Sequence, residues 1–197
     1  MLIPDEFMVQ ELFLHRYYKE GLNPFRSMSG LTDDEIVRFM TAHFPDHSWF
    51  HADPQERIER RRKIESWLHH EFVSLGGRPQ TAHPYYFTVN ESPFLKEYGY
   101  YEGTPREIKI PLGVFSSKNV SFTYPDSFFS DWLRRNQSHP LYNHELNGKV
   151  FSLDELLVLL EEKAIPENVS MKTPSGEFQF YIEAQVWDYE LLDSLNL

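Results

Sequence analysis

Apolar positions recur with two different periods along this chain, and the change falls near residue 80. Upstream, the spacing is helical. Residues 5–20 place Phe7, Met8, Glu11, Leu12 and His15 on one stripe, with Gly21 as a stop, which predicts a first helix. In "LTDDEIVRFMTAHF", Thr32 and Glu35 occupy capping-box positions ahead of a stripe of Ile36, Phe39, Met40 and His43. A third helix is capped by Asp53, starts at Pro54, completes its box with Glu56 and ends at Gly76-Gly77. Its buried stripe is Ile64, Trp67, Leu68, Phe72 and Leu75. Downstream, short β-type runs take over at 85–89, 107–112, 120–124 and 179–187. Helices interrupt them at 93–98, at 126–135 and from Ser152, where Glu155 is the capping-box partner. Regular βαβα alternation is missing. The pattern predicts an α+β fold with a mixed or antiparallel sheet and an N-terminal helical layer. Residues 1–80 form the helical segment and 81–197 the sheet-containing part of one compact domain.

The late run "FQFYIEAQVW" (178–187) sharpens the question of function. As a strand it turns Phe178, Phe180, Ile182, Ala184 and Val186 to one face, an ordinary core. The other face carries Gln179, Tyr181, Glu183, Gln185 and Trp187. One carboxylate among amides and rings suits a ligand as well as it suits water.

Composition narrows the classes. The 197 residues are 41% hydrophobic and 16% aromatic, enough for a packed core, and contain no cysteine. Disulfides, thiolate metal sites and cysteine nucleophiles are thereby excluded. The start "MLIPDEFMVQ" has neither a basic n-region nor a long apolar h-region, and no apolar run reaches the roughly 18 residues of a membrane span. The expectation is a soluble cytoplasmic protein. The net charge of -11 is concentrated downstream: residues 83–197 carry 9 Lys+Arg against 17 Asp+Glu. Such a surface repels a phosphate backbone, which argues against broad nucleic-acid binding. The basic cluster "RIERRRKIE" offers Arg57, Arg60, Arg61 and Lys63. Glu56, Glu59 and Glu65 are interleaved at i+3 and i+4, the pattern of a solvated, ion-paired helix face.

Other chemistries find little footing. His43, His47 and His51 are spaced four apart, but Pro45 and Pro54 break the helix that would align them, and His69-His70-Glu71 lacks the i, i+4 histidine pair of a zinc protease. No metal is expected. There is no Gly-x-Ser-x-Gly elbow to activate Ser121 or Ser127, and "SLGGRP" is neither a P-loop nor a dinucleotide fingerprint.

In the sheet half, "HPYYFTVNESPFLKEYGYYEG" is a strand, a short helix and a glycine turn, and "NVSFTYPDSFFS" is a strand running into a helix. With the late strand bearing Glu183, these pieces resemble, in order, the core of the ADP-ribosyltransferase superfamily over roughly residues 83–190. The resemblance implies NAD as co-substrate and Glu183 as the catalytic glutamate. It implies that His83 holds the nicotinamide ribose and that Ser121 and Thr123 shape the nicotinamide pocket beside Tyr85, with Tyr124 as a stacking ring. Three features depart from the superfamily's pattern. His83 precedes Pro84, no arginine lies on the early strand, and Tyr181 stands where many relatives carry a Glu or Gln that steers the acceptor. The alternative for the same residues is a half-exposed sheet, with Ser121, Thr123, Gln179, Glu183 and Gln185 facing water and His83 in a loop. A second function class is a non-catalytic interaction module. It would bind a protein partner or a second copy through Tyr85, Tyr86, Phe94, Tyr98, Tyr100 and Tyr101. The enzyme reading requires Glu183 in a concave pocket with Ser121, Thr123 and at least one of His83, Tyr85 or Tyr124 within a ligand's width; the interaction module requires a flat, exposed aromatic patch.

Overall fold

The computed structural model describes residues 12–25, 27–43, 54–98, 104–167, 169–173 and 176–195. It is an α+β fold built on a five-stranded antiparallel sheet. The strands are β1 (Phe13–Tyr18), β2 (Tyr85–Val89), β3 (Arg106–Pro111), β4 (Val120–Thr123) and, after a separate hairpin of β5 (Ser170–Thr173) and β6 (Gly176–Gln179), β7 (Glu183–Val186). The order across the sheet is β3-β1-β2-β7-β4. Among the described residues six α-helices accompany them: α1 (Asp33–His43), α2 (Pro54–Ser74), α3 (Pro93–Tyr98), α4 (Ser127–Arg135), α5 (Leu153–Glu161) and α6 (Tyr189–Ser194). None of the described helices is long and apolar enough to cross a membrane.

The first helix expected from the sequence is replaced, where the chain is described, by β1; residues 5–11 lie outside the described residues. "FLHRYY" is rich in aromatic side chains, which fit a pleated surface. Leu14 is fully buried on one face, while His15 and Tyr17 are buried on the other. A helix would have put Leu12 and His15 on the same stripe. As a strand, β1 pairs with β3 along all six residues and with β2 on its other edge, so it lies inside the sheet with its backbone hydrogen bonds satisfied on both sides.

The helix signals downstream match the structure closely. Thr32 and Glu35 exchange hydrogen bonds at the start of α1, and Ser152 and Glu155 form a complete capping box on α5. At the end of α2, Gly76 takes a left-handed φ of +87°, and Gly77 lies where a Cβ would come 2.4 Å from the Phe72 ring. Ile64, Leu68 and Phe72 are buried as the periodicity predicts, but Leu75 is exposed.

The run 178–187 is not one strand: Gln179 ends β6, residues 180–182 are irregular and β7 starts at Glu183. Within β7 the alternation holds. Ala184 and Val186 face the main core with Leu14, Phe87, Ile110, Phe122 and Leu156. Glu183 and Gln185 face the other way, yet that face does not meet water. Helix α2 lies over it, and Ile64, Leu68 and Phe72 pack with Val150 and Trp187 into a second core, the Phe72 and Trp187 rings stacked 5.5 Å apart. The half-exposed face that alternation suggests is therefore a buried polar layer: Glu183 is 7% exposed, and Ser121, Thr123 and Gln185 are 0% exposed.

Candidate functional site

Strand register aligns the polar layer. Lys109, His15, Thr88, Glu183 and Thr123 form one row across all five strands, and Tyr86, Gln185 and Ser121 form part of the next. Because side chains alternate, both rows point to the face under α2.

Glu183 is held by two donors. Its Oε1 accepts from the Ser127 backbone N–H at 3.1 Å and from Gln185 Nε2 at 3.0 Å. Gln185 is itself fixed by a one-way chain of donations. Trp187 Nε1 donates to Ser121 Oγ (2.9 Å), Ser121 Oγ donates to Gln185 Oε1 (3.0 Å), and Gln185 Nε2 donates to Thr123 Oγ1 (3.1 Å) and to Glu183. The indole N–H can only donate, so the Ser121 proton must go to Gln185, which leaves the amide nitrogen facing Glu183. The chain ends on a carboxylate, an arrangement in which each bond polarises the next.

A second carboxylate shares this helix end. Asp126 is the N-cap of α4, and its Oδ1 accepts from the N–H groups of Phe128 (3.1 Å) and Phe129 (3.4 Å). The positive end of the helix favours negative charge here. Burial and the charge of Glu183 oppose it, pushing the Asp126 carboxyl up to about 7. Burial also raises Glu183, against the pull of Ser127, Arg61 and Gln185. The two carboxyls therefore titrate as a pair, with the second charge suppressed by the first.

Arg61 supplies the counter-charge. Its guanidinium carbon lies 4.7 Å from the centre of the Tyr86 ring and 4.5 Å from that of Phe128. Burial works against its charge, but Tyr86, Glu65 and Glu183 outweigh burial and keep it a cation. Glu65, 2% exposed, accepts from Ser29 Oγ (2.8 Å) and Tyr86 Oη (2.9 Å) and bonds His83 Nδ1 (2.7 Å). Burial raises the Tyr86 hydroxyl well above its usual range, so it stays a donor.

Beside this network lies a cavity of about 170 Å³. Thr88 forms part of its wall between His15 and Glu183, and Tyr17, Tyr86 and Tyr181 also line it. The opening follows from the row: Thr88 is the short side chain between two longer ones.

Of the six residues that the resemblance assigns to an NAD site, Glu183 alone lines this cavity. Ser121 and Thr123 lie one layer behind, bonded to Gln185. His83 reaches the cavity wall only through Glu65 and Tyr86. Tyr85 is on the opposite face, half-buried against Phe25 and Tyr189. Tyr124 belongs to the main core, its ring 6.1 Å from Phe180 and its hydroxyl donated to the Pro166 carbonyl at 2.9 Å. Of the aromatic run, Tyr86 is turned inward; Tyr100, Tyr101 and the side chain of Tyr98 lie outside the described residues.

His15, Arg61, Glu65 and Asp126 were not singled out for this site by sequence reasoning. The periodicity of residues 5–20 places His15 on a helical stripe. Arg61 and Glu65 sit in a charge-alternating run whose exposed members, such as the Lys63–Glu59 pair, do form the solvated face. A usable signal exists for one of them: Glu65 is adjacent to Ile64 and four residues after Arg61, on the edge of the buried stripe rather than opposite it. Among the described residues, no group of three or more His, Asp or Glu side chains could hold a metal ion; His47 and His51 lie outside those residues. No protein-family model, curated protein or solved structure matches this chain.

Proposed function

We propose that the protein cleaves the nicotinamide–ribose bond of NAD in the manner of an ADP-ribosyltransferase-like enzyme, with Glu183 as the carboxylate that faces the ribose. One observation carries this reading: Glu183 both lines the cavity and is locked in place by Ser127 and Gln185. Bond cleavage develops positive charge on the ribose. A pre-positioned, largely buried carboxylate stabilises that charge without reorganising as it forms. Ser121 and Thr123 act here as positioning residues, orienting Gln185 and through it Glu183. Tyr86 and Tyr181 supply the aromatic walls for the nicotinamide ring. Whole-ligand pockets usually enclose about 300–1,000 Å³, so a cavity of about 170 Å³ takes the nicotinamide–ribose end and leaves the adenosine end outside.

The test is nicotinamide release from NAD by the wild type and by Glu183→Gln. The variant keeps an oxygen to accept from Ser127 and loses the charge, so it is expected to fold and to release nicotinamide about 10²–10³-fold more slowly. A wild type that releases no nicotinamide and whose melting temperature NAD does not raise would overturn the proposal.

A further inference from the structure

The cavity has a second polar wall that the Glu183 chemistry does not use. His15 is 7% exposed and lies two strands from Glu183 in the same row, with Thr88 between them. Two strand spacings amount to roughly 9.5 Å between their backbones, a gap that a reacting centre and one small nucleophile can fill. His15 Nδ1 is paired with Glu107 Oε1 on β3 at 2.5 Å. A carboxylate on Nδ1 fixes the neutral ring as the Nδ1–H tautomer and leaves the Nε2 lone pair as the basic one. The carboxylate of Glu107 is bound at Nδ1, and His15 itself lines the cavity. The charged and titratable groups facing the imidazole are Glu107 and Lys109 from β3, Tyr17 from its own strand, Glu91 from the turn after β2 and Glu183 from β7. An imidazole oriented by a carboxylate, in the wall of a polar cavity, is the arrangement of a general base.

We infer that His15, positioned by Glu107, is the general base of this cavity and that the acceptor it serves is water, which makes the reaction NAD hydrolysis rather than transfer to a macromolecule. The inference rests on the NAD reading above. In the step, the water oxygen bonds to ribose C1′ as the C1′–N bond to nicotinamide breaks. The electron pair of that bond neutralises the pyridinium nitrogen, so nicotinamide leaves uncharged and needs no proton. The proton of the attacking water passes to His15 Nε2 and from there to solvent. Glu183 faces the cationic ribose throughout. The row geometry favours water as acceptor: roughly 9.5 Å between the His15 and Glu183 backbones leaves room for ribose C1′ and one small nucleophile between the two side chains.

The experiment follows labelled NAD incubated with wild type, His15→Ala and Glu107→Gln. The wild type is expected to yield free ADP-ribose with no label bound to protein. His15→Ala should lose about 10²–10⁴ in turnover and regain activity with added imidazole, which a purely structural role would not allow. Glu107 is at the sheet edge with its side chain 32% exposed, so Glu107→Gln keeps the fold even where His15→Ala does not. It should lower kcat by on the order of 10-fold or more with KM unchanged, because it positions the base without touching substrate. If both variants keep wild-type turnover, or if the label is found on protein, the assignment of His15 is overturned while NAD cleavage by Glu183 stands. If the wild type releases no nicotinamide at all, both readings fall together.

Discussion

Replacing Arg61 by methionine tests the electrostatics of the buried layer directly. The substitution retains an unbranched side chain and removes the cation that faces Glu65, Tyr86 and Glu183. Breaking a buried ion cluster by removing one partner costs about 3–5 kcal/mol, because the remaining charges are left uncompensated. Part of the cost is not ionic: the stacking of the guanidinium on Tyr86 and Phe128, at 4.7 and 4.5 Å, is worth roughly 1–2 kcal/mol and is lost at every pH. The ionic part depends on pH, and its sign is determined. Glu183 and Asp126 already have folded pKa values above their unfolded ones, and loss of Arg61 raises both further. A carboxyl raised in the folded state binds more protons folded than unfolded, so stability falls as pH rises from the unfolded pKa through the folded one. Urea unfolding at pH 5 and pH 8 separates the two parts. Arg61→Met is expected to lose about 3–5 kcal/mol at pH 8 and less at pH 5, where the stacking contribution of about 1–2 kcal/mol sets the lower bound. An equal loss at both values, or a loss below about 1 kcal/mol at pH 8, would refute the argument that Arg61 neutralises this layer.

Two further substitutions probe the same region. Asp126→Asn keeps a good N-cap oxygen for Phe128 and Phe129 and removes a carboxyl pushed up to about 7. It should stabilise the protein by roughly 3–4 kcal/mol at pH 8, have little effect at pH 4, and flatten the decline in wild-type stability between those values, as read by urea midpoints. Trp187→Phe removes the indole donor to Ser121 and part of the stack on Phe72. It should cost about 2–4 kcal/mol in denaturant unfolding, from a lost buried hydrogen bond and a cavity. Because Ser121 then loses the donor that sets its direction, release of nicotinamide should slow as well; unchanged turnover would disconnect that chain from Glu183.

Local signals in the chain determine most of its elements. The capping boxes at Thr32 and Ser152, the Pro54 start and the Gly76-Gly77 stop each act within one turn of backbone, so neighbouring residues alone carry the information. The alternation within β7 is equally local, and it correctly separates Glu183 and Gln185 from Ala184 and Val186. What covers each face is not local. Period-2 alternation reports that a strand has two kinds of face, and a polar face reads the same under water as under a helix. Here α2 closes it, turning residues that suit a solvated surface into a hydrogen-bonded layer. His15 shows the same limit from the other side. Its run fits a helical stripe on periodicity, and only pairing with β3 and β2, some 70 to 95 residues away, makes it a strand and brings its imidazole to Glu107 and the cavity. Arg61 and Glu65 complete the case: charge alternation assigns them to solvent, whereas the packing of α2 on the sheet makes burial of a mutually neutralising cluster less costly than leaving Glu183 and Asp126 alone. Sequence determined which residues carry charge and which elements they sit on. Tertiary structure decided which of those charges meet.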